Sequence, residues 1–389
     1  MNGIRSRRLL MLLSILLLIY GFYMGGLQYV ISDMSAAFMS DGDRLGTGIG
    51  ILVSVPHMIS LFFPILMGAI SDKVGKKKIL LSFVLVFAAG CGICAGAPGL
   101  IVCLIGLTMV GIGHSVCESV STAVLADLDP GKSARNINIS QGFLSAGAVL
   151  GPVLVRWLMK SANADWRTMF ILSGAGFLVM FVLLILSAFP ARQTTQKQEK
   201  IQNNGKKLSV FGSVVLLLCM ASMLLYISIE KGIGNFAESY FTKELKREDL
   251  GAYAISLYWG GMTISRFVLR LKSEKLSTTL AVHFLITGVL FAGLCFSGFA
   301  YLSLALCFLI GFACAPIWSG LVALATGQHR EHSGAVAGIM SSSGSVGSTI
   351  APLLMGVISD YFSIRTGFLL MACFAGLGVV LILFTNKRK

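Results

Sequence analysis

Apolar positions in this chain run on in blocks of roughly 20 residues, the length an α-helix needs to cross a bilayer core about 30 Å thick. Twelve such blocks are predicted, over 9–32, 46–70, 79–97, 99–126, 137–159, 168–189, 209–231, 250–271, 278–297, 301–325, 334–359 and 366–385. The turns at Ala97–Pro98 and Gly298–Ala300 are tight, and the seventh block leaves an extension past Gly232 and Gly234 toward Phe241 open. The predicted fold class is therefore an all-α membrane protein of twelve transmembrane helices. An even number of crossings puts both termini on one side.

Composition agrees with lipid as the main solvent. Of 389 residues 56% are hydrophobic and 12% charged, where a soluble globular chain carries about 25% charged residues. The formal net charge of +14 does not indicate nucleic acid, because the Lys and Arg residues collect in the short connections between apolar blocks. They alternate in phase: Arg5, Arg7 and Arg8, then Lys73 and Lys76 to Lys78, then the 4/5, 6/7 and 8/9 connections and the tail of Lys387, Arg388 and Lys389 mark one face. The positive-inside rule makes that face, with both termini, cytoplasmic. The expected location is the cytoplasmic membrane. All nine Cys residues lie in apolar blocks without metal-type spacing to His, so they read as packing residues, and no metal or cofactor is expected. The first block is too long for the apolar region of a cleavable signal peptide.

One long polar stretch, ARQTTQKQEKIQNNGKKLS from Ala191 to Ser209, reads as a flexible cytoplasmic linker. The expected organisation is an N-terminal bundle at 1–190, the linker at 191–208 and a C-terminal bundle at 209–389. The halves repeat. Ser145, Gly147, Gly151 and Pro152 align with Ser345, Gly347, Ala351 and Pro352, and the same offset aligns Gly111, Ser119 and Ala123 with Gly311, Ser319 and Ala323. Several coincidences in chain order at one spacing indicate a duplicated six-helix unit, two pseudo-symmetric bundles.

Gly68-Ala-Ile-Ser-Asp72-Lys73-Val-Gly75-Lys76-Lys77-Lys78, between the second and third blocks, resembles the G-x-x-x-D-R-x-G-R-K-type loop of the major facilitator superfamily, with Lys in place of the usual Arg. Gly68 permits close helix contact, Gly75 allows a tight turn, and Asp72 can face the positive N-terminal end of a helix in the other half. The resemblance implies a cytoplasmic latch made by Gly68, Asp72, Lys73, Gly75, Lys76 and Lys77. Gly147, Gly151, Pro152, Gly347 and Pro352 are expected to be packing and bending positions, since small residues let helices approach closely in lipid. Within the superfamily the chain is similar to the fucose and sugar permease-like branch in Gly111-Ile-Gly113 with Glu118, in Asn136 to Pro152, in Glu230 with Gly234-Asn235-Phe236, in Gly261 to Arg266 and in Gly311 to Ala325. It departs from that branch in having no acid midway along the first helix and Ser319 where Pro is usual.

Ionisable groups inside apolar blocks cost roughly 2.5–3.5 kcal/mol at a helix centre and tend to face a wet cavity. In the superfamily fold helices 1, 4, 7 and 10 line that cavity, so the resemblance places Glu118 and Glu230 on the solute path as proton-coupling residues. A static hydrogen bond to a neighbouring helix competes for Glu118, and an ion pair with Lys231 competes for Glu230. Gln28, Asn235, Trp259, Trp318 and His114 are the candidate solute contacts; capping competes for Asn235, packing for the tryptophans, and the role of proton carrier or of a hydrogen-bonded core residue for the histidine. Arg266 is placed to neutralise an anion or to snorkel, and His57 is a second histidine able to carry a proton.

These residues, with no Walker loop, HExxH or GxSxG pattern, predict no enzyme but a gradient-driven transporter that works by alternating access. The expected partners are protons, the lipid bilayer and a small sugar-like or organic-acid solute taken up by symport, in a monomer. A proton-driven efflux antiporter is the first alternative; against it, Gly99 to Leu107 lacks the buried Arg that many such exporters of the superfamily carry. A transport-inactive sensor or scaffold is the second.

Overall fold

Lipid offers no partner to a bare backbone N–H or C=O, so a chain this apolar satisfies its backbone inside helices. The computed structural model describes residues 3–38, 44–128, 133–189, 213–269, 276–328 and 333–386, and the linker expected at 191–208 lies outside them. Thirteen α-helices follow in order: α1 (Gly3–Phe38), α2 (Leu45–Ser60), α3 (Phe63–Val74), α4 (Lys76–Ala95), α5 (Leu100–Leu128), α6 (Ser133–Ser161), α7 (Arg167–Ile185), α8 (Val214–Ser239), α9 (Gly251–Val268), α10 (Leu276–Phe296), α11 (Ala300–Gln328), α12 (Ser333–Tyr361) and α13 (Ile364–Asn386). No strand occurs among the described residues.

Thirteen helices make twelve crossings because α2 and α3 are one traverse with a break. Pro64 opens α3 and has no N–H to return to Ser60, so the ladder stops at Leu61 and Phe62 and restarts. Nine helices are long and apolar enough to span a membrane by length and composition among the described residues. The remaining traverses are the α2/α3 pair, whose break leaves two short pieces, and α9 and α12, which carry more polar residues. The seventh crossing runs farther than its expected end at 231: α8 continues to Ser239 and adds a wider turn at Tyr240–Glu244. Gly232 and Gly234 therefore sit inside a helix.

Within the halves, glycines set the approach. A Cβ on Gly147 or Gly151 of α6 would collide with the backbone oxygen of Leu18 or Phe22 on α1, and one on Gly347 of α12 with that of Leu224 on α8. Pro152 and Pro352 lie inside α6 and α12. Between the halves, α2 packs on α12 and α6 on α9. At the end of the molecule opposite the termini, a Cβ on Gly46 would lie 2.6 Å from the Gly356 oxygen and one on Gly50 2.8 Å from that of Pro352. Asp360, at the close of α12, accepts from the N–H groups of Gly46 (2.7 Å) and Thr47 (2.6 Å), the first turn of α2. A carboxylate on two orphan amides at a helix N-terminus neutralises the positive end of the dipole, so it ties the halves together at this far end.

At the termini end, α3 packs on α4 and α5 of its own half. The side chains of Gly68, Asp72 and Lys73, three of the latch residues, lie outside the described ones. Lys76 opens α4. Lys77 stays within its own half: its Nζ donates to the Ile185 (2.7 Å) and Ser187 (2.8 Å) carbonyls and caps the C-terminus of α7, where a cation complements the dipole. Gly75 makes the turn between α3 and α4 at φ 109°, and a Cβ added to it would meet nothing within 4 Å, so a side chain there has room but the wrong backbone. Gly75→Ala is expected to destabilise the protein by about 1–2 kcal/mol through φ alone, read as a lower melting temperature in detergent; an unchanged melt would mean that the turn relaxes.

Candidate functional site

Four helices, α1, α2, α5 and α8, leave a cavity of about 50 Å³ at mid-molecule. At about 10–15 Å³ of such volume per water it holds a few waters. Its polar lining comes from Gln28, His57, His114, Lys231 and Asn235, and the rest is apolar or aromatic, including Tyr20, Leu52 and Pro56. Three of the five expected solute contacts, Gln28, His114 and Asn235, are brought together here.

Gln28 is 3% exposed, and its Oε1 accepts from Trp259 Nε1 on α9 at 2.8 Å, a buried bond across the two halves. Gly234 makes room for it, because a Cβ there would lie 2.6 Å from Gln28 Nε2. Trp259 thus acts on the cavity through Gln28. Asn235 does not cap a break; inside the continuous α8 its Nδ2 donates back to the Lys231 carbonyl at 2.8 Å, which leaves Oδ1 free of that bond. The His114 ring stacks on Tyr20 at 4.2 Å between centroids and 9° between planes. His57 uses Nδ1 on the Val53 carbonyl at 2.9 Å. Trp318, on α11, is 43% exposed and stands apart from this cavity.

The two acids lie beside the cavity rather than in its lining. Glu118 Oε1 accepts from Gln141 Nε2 of α6 at 3.1 Å. Glu230 Oε2 accepts from the Tyr226 hydroxyl at 2.8 Å, while its Oε1 stands 3.6 Å from Lys231 Nζ. Lys231, Arg266 and Glu230 all lie within electrostatic range of Glu118. Arg266 Nη1 donates to Ser145 Oγ at 2.7 Å, so α9 reaches α6 of the other half. Two acids and two cations on α5, α8 and α9 therefore form one electrostatic group inside the protein, where charge interactions are stronger than in water.

Sequence reasoning missed Glu238, which is buried and accepts from Ser32 of α1, from Thr242 Oγ1 at 2.7 Å and from Ser239 Oγ at 3.4 Å. The Ser32 bond joins α1 and α8 on the far side of the cavity. A signal was present, since 231, 235, 238 and 242 recur at helical spacing once α8 is taken to continue beyond Gly234.

The sequence matches the profile of the Major Facilitator Superfamily over residues 11–326 and 233–389. It is 25% identical over 323 residues to a putative glucose/galactose transporter of Helicobacter pylori, covering 78% of each chain. The fold is similar to that of a bacterial homologue of the human lysosomal transporter Spinster, captured inward-facing and unoccupied, with a TM-score of 0.80 at 14% identity over 100% of this chain and 98% of that one. It is also similar to the E. coli fucose:proton symporter FucP, with a TM-score of 0.63 at 17% identity over 98% of both.

Proposed function

The chain belongs to the major facilitator superfamily and is a multi-pass membrane transporter, not an enzyme, and from that premise we propose that it moves a small polar solute by proton-coupled symport. The observation that carries this reading is the cavity between α1, α2, α5 and α8, with a charged group of Glu118, Glu230, Lys231 and Arg266 beside it. Solute binds at the cavity, Glu118 and Glu230 exchange protons with it or with water, and the halves rock about it.

The distribution of positive residues supports cytoplasmic termini and a place in the cytoplasmic membrane. With that orientation the far end is the outer one, and the Asp360 cap, the Gly46–Gly356 contact and the Ser32–Glu238 bond close it. This conformation is then inward-facing. The two bundles, joined by the 191–208 linker, are the moving bodies, and the residues from Gly68 to Lys77 form the inner latch of the opposite state.

Uptake into proteoliposomes of a sugar and organic-acid panel under an imposed pH gradient tests the proposal; no gradient-dependent uptake of any of them would count against it. For a transported solute, Trp259→Phe leaves the buried Gln28 Oε1 without its donor, an effect of about 1–3 kcal/mol. KM is expected to rise by about tenfold with a smaller change in maximal rate. An unchanged KM would remove the Gln28–Trp259 bond from solute recognition.

A further inference from the structure

Lys231 is the unassigned chemistry of the cavity. Its side chain is 16% exposed and lines the space, yet the closest carboxylate is that of its own chain neighbour, Glu230, at 3.6 Å. Adjacent residues of a helix point about 100° apart, so the two cannot align well, and Glu230 is already held by the Tyr226 hydroxyl. Among the described residues no acceptor lies within hydrogen-bond distance of Lys231 Nζ, which leaves three donors of a largely buried ammonium unspent. A largely buried cation whose ion pair is longer than a hydrogen bond is stabilised by an acceptor that arrives from outside.

The rest of the lining decides what kind. Tyr20, Leu52, Val53 and Leu107 give apolar walls, and the other polar groups are partly spent, Gln28 Oε1 on Trp259, His57 Nδ1 on the Val53 carbonyl and Asn235 Nδ2 on that of Lys231, so a sugar, with a hydroxyl on nearly every carbon, would leave several of them unpaired. A phosphate ester is favoured by several cations or an arginine fork, and this lining has one ammonium and no arginine. A single carboxylate satisfies Lys231 while an apolar or aromatic body lies along Tyr20 and the leucines. Resting on the transporter reading above, we infer that Lys231 anchors an anion site and that the solute is a small monocarboxylate with an apolar body.

Calorimetric titration of the purified full-length protein with phenylacetate, its neutral counterpart phenylacetamide, and glucose tests this directly. Phenylacetate should bind at least tenfold more tightly than the other two. Lys231→Gln should lose at least tenfold in that affinity with little effect on the amide, and Lys231→Arg should retain most of it. Should the variants fold poorly, native protein gives a second readout: reductive methylation of Lys231, followed by peptide mass spectrometry, should be slowed by phenylacetate and not by phenylacetamide. Glucose binding most tightly, no binding by any of the three, or phenylacetate affinity and labelling indifferent to Lys231 would each overturn the inference. Counterflow assays separate the two claims. Lys231-dependent binding of phenylacetate without exchange across a bilayer defeats the transporter reading and keeps the anion site; exchange of glucose unaffected by Lys231→Gln does the reverse.

Discussion

Glu118→Gln is expected to abolish proton-driven accumulation in proteoliposomes while sparing exchange of solute between the two sides. A pH difference of one unit supplies about 1.4 kcal/mol per proton, enough for tenfold accumulation of a singly coupled solute. The variant should reach only the external concentration. Gln keeps the shape and can still accept from Gln141 Nε2, which now approaches Glu118 Oε1 to 3.1 Å, so the bond between α5 and α6 survives. What is lost is the ability to bind and release a proton in the field of Lys231, Arg266 and Glu230. That separates the two roles open to this residue. A purely structural acid would leave accumulation at its native level, and such a result would transfer the coupling role to Glu230.

A bulky residue at the α2–α12 crossing should have an effect of similar size by another route. A Cβ on Gly356 would collide with the Gly46 backbone oxygen, and Gly46 has the same relation to Gly356. Because both obstacles are backbone, no rotamer change relieves them, and Gly356→Leu should prevent the far end from closing. Transport is expected to fall to background, although each half can still fold around its own core. Spin labels at positions 44 and 361, on either side of this contact, should report a longer and broader distance distribution than in the native protein. Asp360→Asn is the graded counterpart: it weakens the cap on the Gly46 and Thr47 amides by about 0.3–2 kcal/mol, shifting the population without blocking the closed state. Native transport by Gly356→Leu, with an unaltered label distance, would rule out this contact as the gate.

Apolar block length alone determined that the chain is helical and crosses a membrane twelve times, since lipid leaves a backbone of this composition no other way to satisfy its hydrogen bonds. The internal repeat and the loop from Gly68 to Lys78 were equally local signals, legible without coordinates, and they carried the superfamily. Glu118 and Glu230 stood out for the same reason: a charge in an apolar block is conspicuous in one dimension. Tertiary structure alone decided what such groups meet. Whether α8 stops at Lys231 or runs on to Ser239 turns on packing around Gly232 and Gly234, and only the continuous helix turns Lys231 and Asn235 into one cavity and Glu238 toward Ser32. The pairing of Gln28 with Trp259, of Asp360 with the start of α2 and of Lys77 with the end of α7 joins residues far apart in the chain. Hydropathy reports the solvent of a segment; it carries no information about which helix face meets which, and recognition and gating depend on those faces.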